Sequence, residues 1–133
     1  MNKQEYRQAN IDWLKAKAKE EGVKALPKGI YYKVISEGKN DGIHPTPRNV
    51  VTAHYTGWTI DGKVFDSSYK RNQPAEMRTN QVIKGFTEAL VHMPAGSVWE
   101  VYIPQNLAYG EREAGEIKPF STLIFKIELL KVK

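Results

Sequence analysis

The stretch AHYTGWTIDGKVFDSS, residues 53–68, decides how the fold of this chain is interpreted. A β-rich run from Val50 to Tyr55 leads into it, and the dipeptide Asp61-Gly62 interrupts the apolar pattern before the chain returns. Asp-Gly between alternating segments is a strong signal for a β-hairpin, because the tight turn needs positive φ and glycine adopts it at little cost. The hairpin would bring Tyr55 near Phe65 and Asp66. From this stretch alone two interpretations stay open, a surface hairpin with ordinary core aromatics or one wall of a cleft.

The composition is that of one globular domain with room for an appended element. The chain has 133 residues, of which 41% are hydrophobic and 26% charged. It has no cysteine, which excludes disulfides, thiolate metal sites and cysteine nucleophiles. No apolar run reaches the length of a membrane span, and MNKQEYRQAN lacks the apolar core of a signal peptide. We therefore expect no membrane partner and, by default, a cytoplasmic location, or a periplasmic one if a signal peptide has been removed.

The positive charge is concentrated near the N-terminus. The net charge is +5, and residues 1–40 carry nine Lys and Arg against five Asp and Glu. A nucleic-acid-binding domain would need a basic patch on its folded surface. A solvated helix surface explains these lysines better, so no nucleic-acid partner is expected.

Residues 1–26 predict an amphipathic helix followed by a linker. The helix is expected from Asn2 to Glu21, since Gly22 suits a helix C-terminus and Pro27 cannot continue it. Apolar residues recur at helical spacing, and these are Tyr6, Ala9, Trp13 and Ala16, with Ile11 and Leu14 widening the stripe. Such a stripe must be covered. It could dock on the domain of its own chain or pair with a second copy in a homodimer.

Residues 27–133 predict an α+β domain built on antiparallel strands. A short helix is expected over Gln81–His92, and long loops over Lys39–Arg48 and Pro104–Ser121. The alternation in Val98–Ile103 points Trp99, Val101 and Ile103 inward and Tyr102 outward. Strands are expected at Gly29–Gly38, Val50–Trp58, Lys63–Asp66, Ala75–Thr79, Val98–Ile103 and Thr122–Val132. This sheet is too short to close, so the helix would cover its apolar face.

The common catalytic constellations are missing from the sequence. The three histidines, His44, His54 and His92, lack metal-ligand spacing, and no glycine-rich phosphate loop precedes a helix. Ser67 and Ser68 lack the context of a nucleophile elbow, and His54 is interpreted as a strand histidine that is hydrogen-bonded locally. No metal and no cofactor is expected.

Aromatic and apolar side chains on different elements are the remaining candidates. Tyr109 lies in a loop before a glycine, where a role in the core is less natural than a hydroxyl pointing into a cleft. Asp66 and Arg71 are close enough in sequence to form a charge pair. The other candidates are Tyr55, Phe65, Phe86 and Phe125 with Val82, Ile83 and Ile117, which could equally be core residues.

Five phrases, in this order and at this spacing, carry a resemblance to a known family. They are HYTGWTIDGKVFDSS (54–68), RNQPAEM (71–77), VIKGFTEAL (82–90), YIPQNLAYG (102–110) and TLIFKIELL (122–130). Together they resemble the FKBP-type peptidyl-prolyl cis-trans isomerases, from about Gly29 to the C-terminus. The N-terminal helix and the PAEM variant resemble the bacterial macrophage-infectivity-potentiator-like subgroup, in which a preceding helix often serves dimerisation.

The resemblance implies a fold and a site. The fold would be a twisted, half-open antiparallel sheet wrapped around the short helix, with an apolar pocket between them. Phe86 stands where many members carry Trp as the pocket floor, Arg71 matches the arginine that pairs with the aspartate, and the Glu111–Glu116 loop is more acidic than in other members. The positions carried over as catalytic are Tyr55, Phe65, Asp66, Phe86, Tyr109 and Phe125, and those carried over as substrate-binding are Arg71, Val82, Ile83 and Ile117.

The resemblance also implies an activity and partners. The chain would accelerate rotation about X-Pro bonds in proline-containing polypeptides and so assist protein folding. Macrolides of the tacrolimus and rapamycin type are possible ligands. The alternative is an FKBP-like binding module or chaperone with weak turnover or none.

Overall fold

The computed structural model describes residues 1–38 and 43–133, so the first four residues of the predicted Lys39–Arg48 loop lie outside the described part. Single 3-10 turns occupy Pro27–Gly29 and Gln105–Leu107. The described helices and strands are, in chain order, α1 (Lys3–Ala18), β1 (Val23–Ala25), β2 (Tyr31–Ser36), β3 (Val50–Trp58), β4 (Val64–Ser67), β5 (Ala75–Arg78), α2 (Lys84–His92), β6 (Val98–Ile103) and β7 (Leu123–Val132).

The strands form one antiparallel sheet whose order is β1-β2-β6-β7-β3-β4, with β5 also paired to β3. Strand β3 has β7 along one side, from Val51 opposite Val132 to Trp58 opposite Ile124. On its other side β5 pairs with the first half of β3 and β4 with the second half. Strand β5 therefore continues the line of β4 along this side of β3, and the expected α+β class is confirmed.

Helix α2 covers the apolar face of the sheet. Its residues Phe86, Ala89 and Leu90 are buried, and the alternation of β3 turns Val51 and Ala53 into the same core. The backbone of α2 approaches β6 closely at Gly85, where a Cβ atom would collide with the Ile103 side chain. A glycine is required there by packing, because any side chain would push the helix off the sheet.

Helix α1 packs on the opposite face of the sheet. A capping box begins the helix, since the Asn2 side chain accepts from the Glu5 N–H and the Glu5 carboxylate accepts from the Asn2 N–H. Tyr6 is buried, and the ring of Trp13 meets the ring of Tyr102 edge to face at 5.8 Å. Part of the stripe of α1, including Tyr6 and Trp13, is thus covered by its own chain, whereas Ile11 and Ala16 stay exposed.

Four local features differ from the expectations. Helix α1 ends at Ala18 instead of Glu21, and residues Val23–Ala25 form an unexpected edge strand on β2. Tyr102 does lie on the face of β6 away from α2, but it is only 1% exposed because α1 covers that face. Helix α2 begins at Lys84 and not at Gln81, because Ile83 has an extended backbone with ψ of 150°.

Two further observations concern the described residues as a whole. None of the helices in residues 1–38 and 43–133 combines the length and apolar character needed to cross a bilayer. The same residues contain no group of three or more His, Asp or Glu side chains arranged to hold a metal ion.

His54 is hydrogen-bonded locally through Nδ1 to the Ser68 hydroxyl at 2.8 Å.

Candidate active site

A cavity of about 600 Å³ opens between the start of α2 and the concave face of the sheet. Its volume lies in the range of small-ligand sites. Eight of the ten predicted site residues line it, and these are Tyr55, Phe65, Asp66, Val82, Ile83, Phe86, Tyr109 and Phe125. Volume alone does not single out this cavity, since a groove beside α1 measures about 590 Å³. What distinguishes the cavity at the start of α2 is the convergence of aromatic rings on it.

The rings at the bottom of the cavity pack edge to face against one another. Phe86 is only 4% exposed, and its ring meets those of Phe125 and Tyr55 edge to face at 5.0 Å and 5.7 Å. Phe65 meets Phe125 in the same manner at 5.6 Å, with the ring planes 89° apart. Each edge-to-face pair contributes about 0.5–1.5 kcal/mol beyond the burial of its area. The floor and walls are therefore a preformed apolar surface.

A glycine makes this ring arrangement possible. Gly57 lies on β3 directly opposite Phe125 on β7 and Asp66 on β4. A Cβ atom on Gly57 would lie 2.6 Å from Cζ of Phe65 and 2.7 Å from Cε1 of Phe125. Both distances are shorter than any real Cβ contact, so the missing side chain is what lets the two rings meet over the strand.

Three side chains form a hydrogen-bonded polar edge. The Tyr55 hydroxyl donates to Oδ2 of Asp66 at 2.6 Å, and Nη1 of Arg71 donates to Oδ1 at 2.5 Å. Nη2 of Arg71 also donates to the Tyr55 hydroxyl at 3.2 Å. Both carboxylate oxygens of Asp66 are thus engaged, and the guanidinium fixes the edge from outside the cavity.

The pKa values of this edge follow from its geometry. Burial raises the pKa of the Tyr55 hydroxyl, and its hydrogen bond to the Asp66 carboxylate raises it further. Burial by itself would raise the pKa of Asp66, but the hydrogen bonds from Tyr55 and Arg71 outweigh it and hold that pKa below its usual range. At neutral pH the edge therefore consists of a neutral phenol, a carboxylate and a guanidinium.

Two hydrogen-bond donors at the cavity remain unused within residues 1–38 and 43–133. The Tyr109 hydroxyl and the backbone N–H of Ile83 donate to no other described residue. Ile83 stands at the N-cap position of α2, and Tyr109 lies in the turn that follows Gln105–Leu107. Both groups are therefore placed to donate hydrogen bonds to acceptor atoms of a bound molecule.

Two of the predicted residues lie away from the cavity surface. Arg71 acts on Tyr55 and Asp66 from the side. Ile117 does not line the cavity, since it is 5% exposed, belongs to the hydrophobic core and forms an isolated β-bridge with Ala114. Its role as a substrate-binding residue stays a prediction.

Four lining residues are not among the predicted site residues, and these are Ala75, Glu76, Met77 and Gln81. The first three lie on β5, whose register on β3 places Ala75 opposite Ala53. That register follows a seven-residue excursion between β4 and β5, and no local pattern in the sequence reveals it. Gln81 was assigned to a helix that begins three residues later.

The structure thus combines a sheet wrapped around one short helix with an aromatic cavity at the start of that helix. Residues 42–130 match the family described as FKBP-type peptidyl-prolyl cis-trans isomerase, and the chain belongs to this family. The resemblance drawn from the five phrases is confirmed.

Relatives place the chain among bacterial members. It is 51% identical over 123 residues to the FKBP-type 22 kDa peptidyl-prolyl cis-trans isomerase of Escherichia coli K12, covering 92% of this chain and 59% of the relative. It is 50% identical to the outer membrane protein MIP of Legionella longbeachae, covering 91% and 52%. The chain thus spans a little over half the length of these curated relatives.

Solved structures agree with the fold. The crystal structure of FkpA from Escherichia coli superposes with a TM-score of 0.91 at 39% identity, over 98% of this chain and 60% of that one. A peptidyl-prolyl cis-trans isomerase from Pseudomonas syringae pv. tomato also gives 0.91, at 36% identity, over 100% of this chain and 97% of the other.

Proposed function

We propose that this chain accelerates cis-trans isomerisation of X-Pro peptide bonds in polypeptide substrates and so assists protein folding. The observation that carries the proposal is the apolar ring cage of Tyr55, Phe65, Phe86 and Phe125, which lies beside two donors that no described residue engages. The proline ring would rest on Phe86 between the other three rings. The Tyr109 hydroxyl and the Ile83 N–H would hold carbonyl groups of the substrate.

The reaction suits such a site because it needs no covalent chemistry. Amide resonance gives rotation a barrier of roughly 18–20 kcal/mol, so uncatalysed exchange takes tens of seconds or more. A 10⁴-fold acceleration requires only about 5.5 kcal/mol of barrier lowering. In the transition state the C–N bond is twisted, resonance is lost and the charge separation across the amide falls. An apolar cavity therefore binds the twisted amide better than the planar one, which is catalysis by differential binding.

Asp66 acts in this mechanism as a fixed acceptor. No proton is transferred when an amide rotates, and both oxygens of Asp66 are already engaged by Tyr55 and Arg71. Its lowered pKa keeps it ionised at neutral pH. The three side chains would hold the Tyr55 ring at a constant angle against the proline, so the site meets the transition state without rearranging.

An X-Pro tetrapeptide isomerisation assay tests the proposal. We expect the wild-type chain to accelerate exchange, and the double variant Phe86→Ala, Tyr109→Phe to lose most of that acceleration. The assay is run below the unfolding temperature of the variant, which circular dichroism establishes beforehand. Wild-type activity no higher than that of the double variant would overturn the proposal.

A second candidate is a binding module or chaperone with little turnover. It is favoured by the smaller floor that Phe86 provides and by the exposed carboxylates of Glu111, Glu113 and Glu116 beside the cavity loop. Suppression of client aggregation that persists in the Phe86→Ala, Tyr109→Phe variant would favour this candidate. Suppression that disappears together with isomerase activity would reject it.

Macrolide binding and dimerisation are finer proposals. Tacrolimus should compete for the ring cage, so a titration should abolish the isomerase activity of the wild type.

A homodimer through α1 would have to use the part of the stripe left open, such as Ile11, which is 37% exposed. Light scattering should then report a dimer that Ile11→Lys converts to a monomer. A monomer in both proteins rejects dimerisation through this face.

A further inference from the structure

We propose that helix α1 is a positioning element of the active site, acting through a contact between Arg7 and Phe120 that fixes the turn carrying Tyr109. The proposal rests on the isomerase function proposed above. Neither Arg7 nor Phe120 lines the cavity. Both would act through Tyr109, whose hydroxyl makes no hydrogen bond that could hold it in place within the described residues.

The first observation is the backbone of Phe120. Its φ is +63°, in the left-handed region, where a bulky residue other than glycine is a genuine outlier. The residue is only 9% exposed although it lies outside the helices and strands. A strained conformation of this kind persists only where the surrounding structure determines it.

Helix α1 contacts both the Phe120 ring and the backbone that follows it. The Arg7 guanidinium carbon lies 4.7 Å from the centroid of the Phe120 ring, in the geometry of a cation–π contact. Two residues further on, the Thr122 N–H donates to Oδ1 of Asn10 at 2.7 Å. Asn10 is 1% exposed and is itself oriented by donating from Nδ2 to the Tyr6 carbonyl at 2.8 Å.

A backbone hydrogen bond passes this constraint to the active site. The Phe120 N–H donates to the carbonyl of Gly110 at 2.8 Å, and Gly110 follows Tyr109 directly. On its other side, the Gly110 N–H donates to the Gln105 carbonyl at 2.8 Å, which ties the turn to the end of β6. Tyr109 thus stands on a turn anchored at two points, and one of them is held by α1.

Kinetics of the full chain with Arg7→Ala provide the first test. Loss of an exposed cation–π contact should lower kcat/KM by about twofold to fivefold. Lys19→Ala is the matched control, because it removes the same charge from the C-cap of the same helix without touching Phe120. A double-mutant cycle with Tyr109→Phe then tests whether Arg7 affects kcat/KM through Tyr109. If α1 acts through Tyr109, Arg7→Ala should have almost no further effect in the Tyr109→Phe background.

Phe120→Asn separates positioning from stability. Asparagine tolerates the left-handed region, so this variant keeps the backbone relaxed while it loses the ring. We expect Phe120→Asn to unfold at higher denaturant than Phe120→Ala and yet to show the same loss of kcat/KM. Wild-type kcat/KM in both Arg7→Ala and Phe120→Asn overturns the proposal, and so does an Arg7→Ala effect that adds fully to that of Tyr109→Phe.

Fluorine NMR keeps the two proposals distinguishable. The chain is labelled with 3-fluorotyrosine, and the Tyr109 resonance is assigned by its loss in Tyr109→Phe. Arg7→Ala should shift or broaden this resonance, while Lys19→Ala should leave it unchanged. A wild type without isomerase activity rejects the proposed function, whereas an unchanged Tyr109 resonance in Arg7→Ala rejects the positioning role.

Discussion

The hydroxyl of Tyr55 lies 2.6 Å from Oδ2 of Asp66 and joins β3 to β4 across the hairpin on which the site is built. Arg71 closes the arrangement by donating to both residues. This hydrogen bond is strongest while the phenol is protonated and the carboxylate is ionised. The polar edge should therefore weaken as the pH falls and Asp66 becomes protonated.

Acid should weaken the fold partly through Asp66. Its pKa is lowered in the folded chain, against about 3.9 in the unfolded chain. A lowered pKa means that the stabilisation is present above the unfolded value and is lost as pH falls through the folded value. We expect urea unfolding to show a smaller loss of stability between pH 6 and pH 3 for Asp66→Asn than for the wild type.

Asp61 offers a control for the acid experiment. The pKa of its carboxyl is also lowered, mainly by a hydrogen bond from the Thr59 hydroxyl, but the residue lies at the hairpin tip beside α1. Asp61→Asn should reduce the same acid loss without changing isomerase activity. Equal acid losses in the wild type and Asp66→Asn would show that the polar edge is not linked to folding.

Arg71→Ala should separate activity from stability. The Arg71 side chain is half exposed, and exposed ion pairs contribute little to folding. Its removal should leave the unfolding free energy nearly unchanged, yet lower kcat/KM severalfold because Tyr55 and Asp66 lose their common anchor. Lys70→Ala removes a neighbouring charge and should leave kcat/KM at the wild-type value. A decrease of equal size in both variants would point to a general effect of charge.

Gly57→Ala should damage the site by steric overlap. The added Cβ would meet the rings of Phe65 and Phe125 at 2.6 and 2.7 Å, and overpacking of this kind costs typically about 1–3 kcal/mol. Both the unfolding free energy and kcat/KM should fall. Gly62→Ala is the contrasting variant, because its φ is +81° and nothing lies within 4 Å of the added atom. It should lose stability through its backbone while keeping the activity.

Much of the fold could be predicted because its strands carry a clear period of two. The bounds of β3 and β6 agree with those expected, since alternation in Val50–Trp58 and Val98–Ile103 is bounded by turn residues on both sides. Strand β1 could not be predicted, because three residues are too few to show a period. Its existence depends on pairing with β2, which is a tertiary contact.

The residues of the site could be predicted, but the contacts between them could not. Aromatic residues on separate elements could be named from the family resemblance, but their contacts depend on strand register and on the absent side chain at Gly57. Asn10 illustrates the limit on the other face. A polar residue beside an apolar stripe suggests solvent, yet it is buried because its amide matches one backbone donor and one backbone acceptor. No periodicity reveals such a match.

The hydrogen bonds of Asn10 should therefore contribute to the stability that α1 gives the domain. Asn10→Ala removes the acceptor for the buried Thr122 N–H, and an unsatisfied buried donor costs about 1–3 kcal/mol. Asn10→Leu fills the same space with apolar atoms but leaves the donor equally unpaired. If the hydrogen bond matters, urea unfolding should show both variants destabilised, while Gln8→Ala on the exposed side should match the wild type. Destabilisation by Asn10→Ala with full recovery in Asn10→Leu would mean that α1 is held by packing alone.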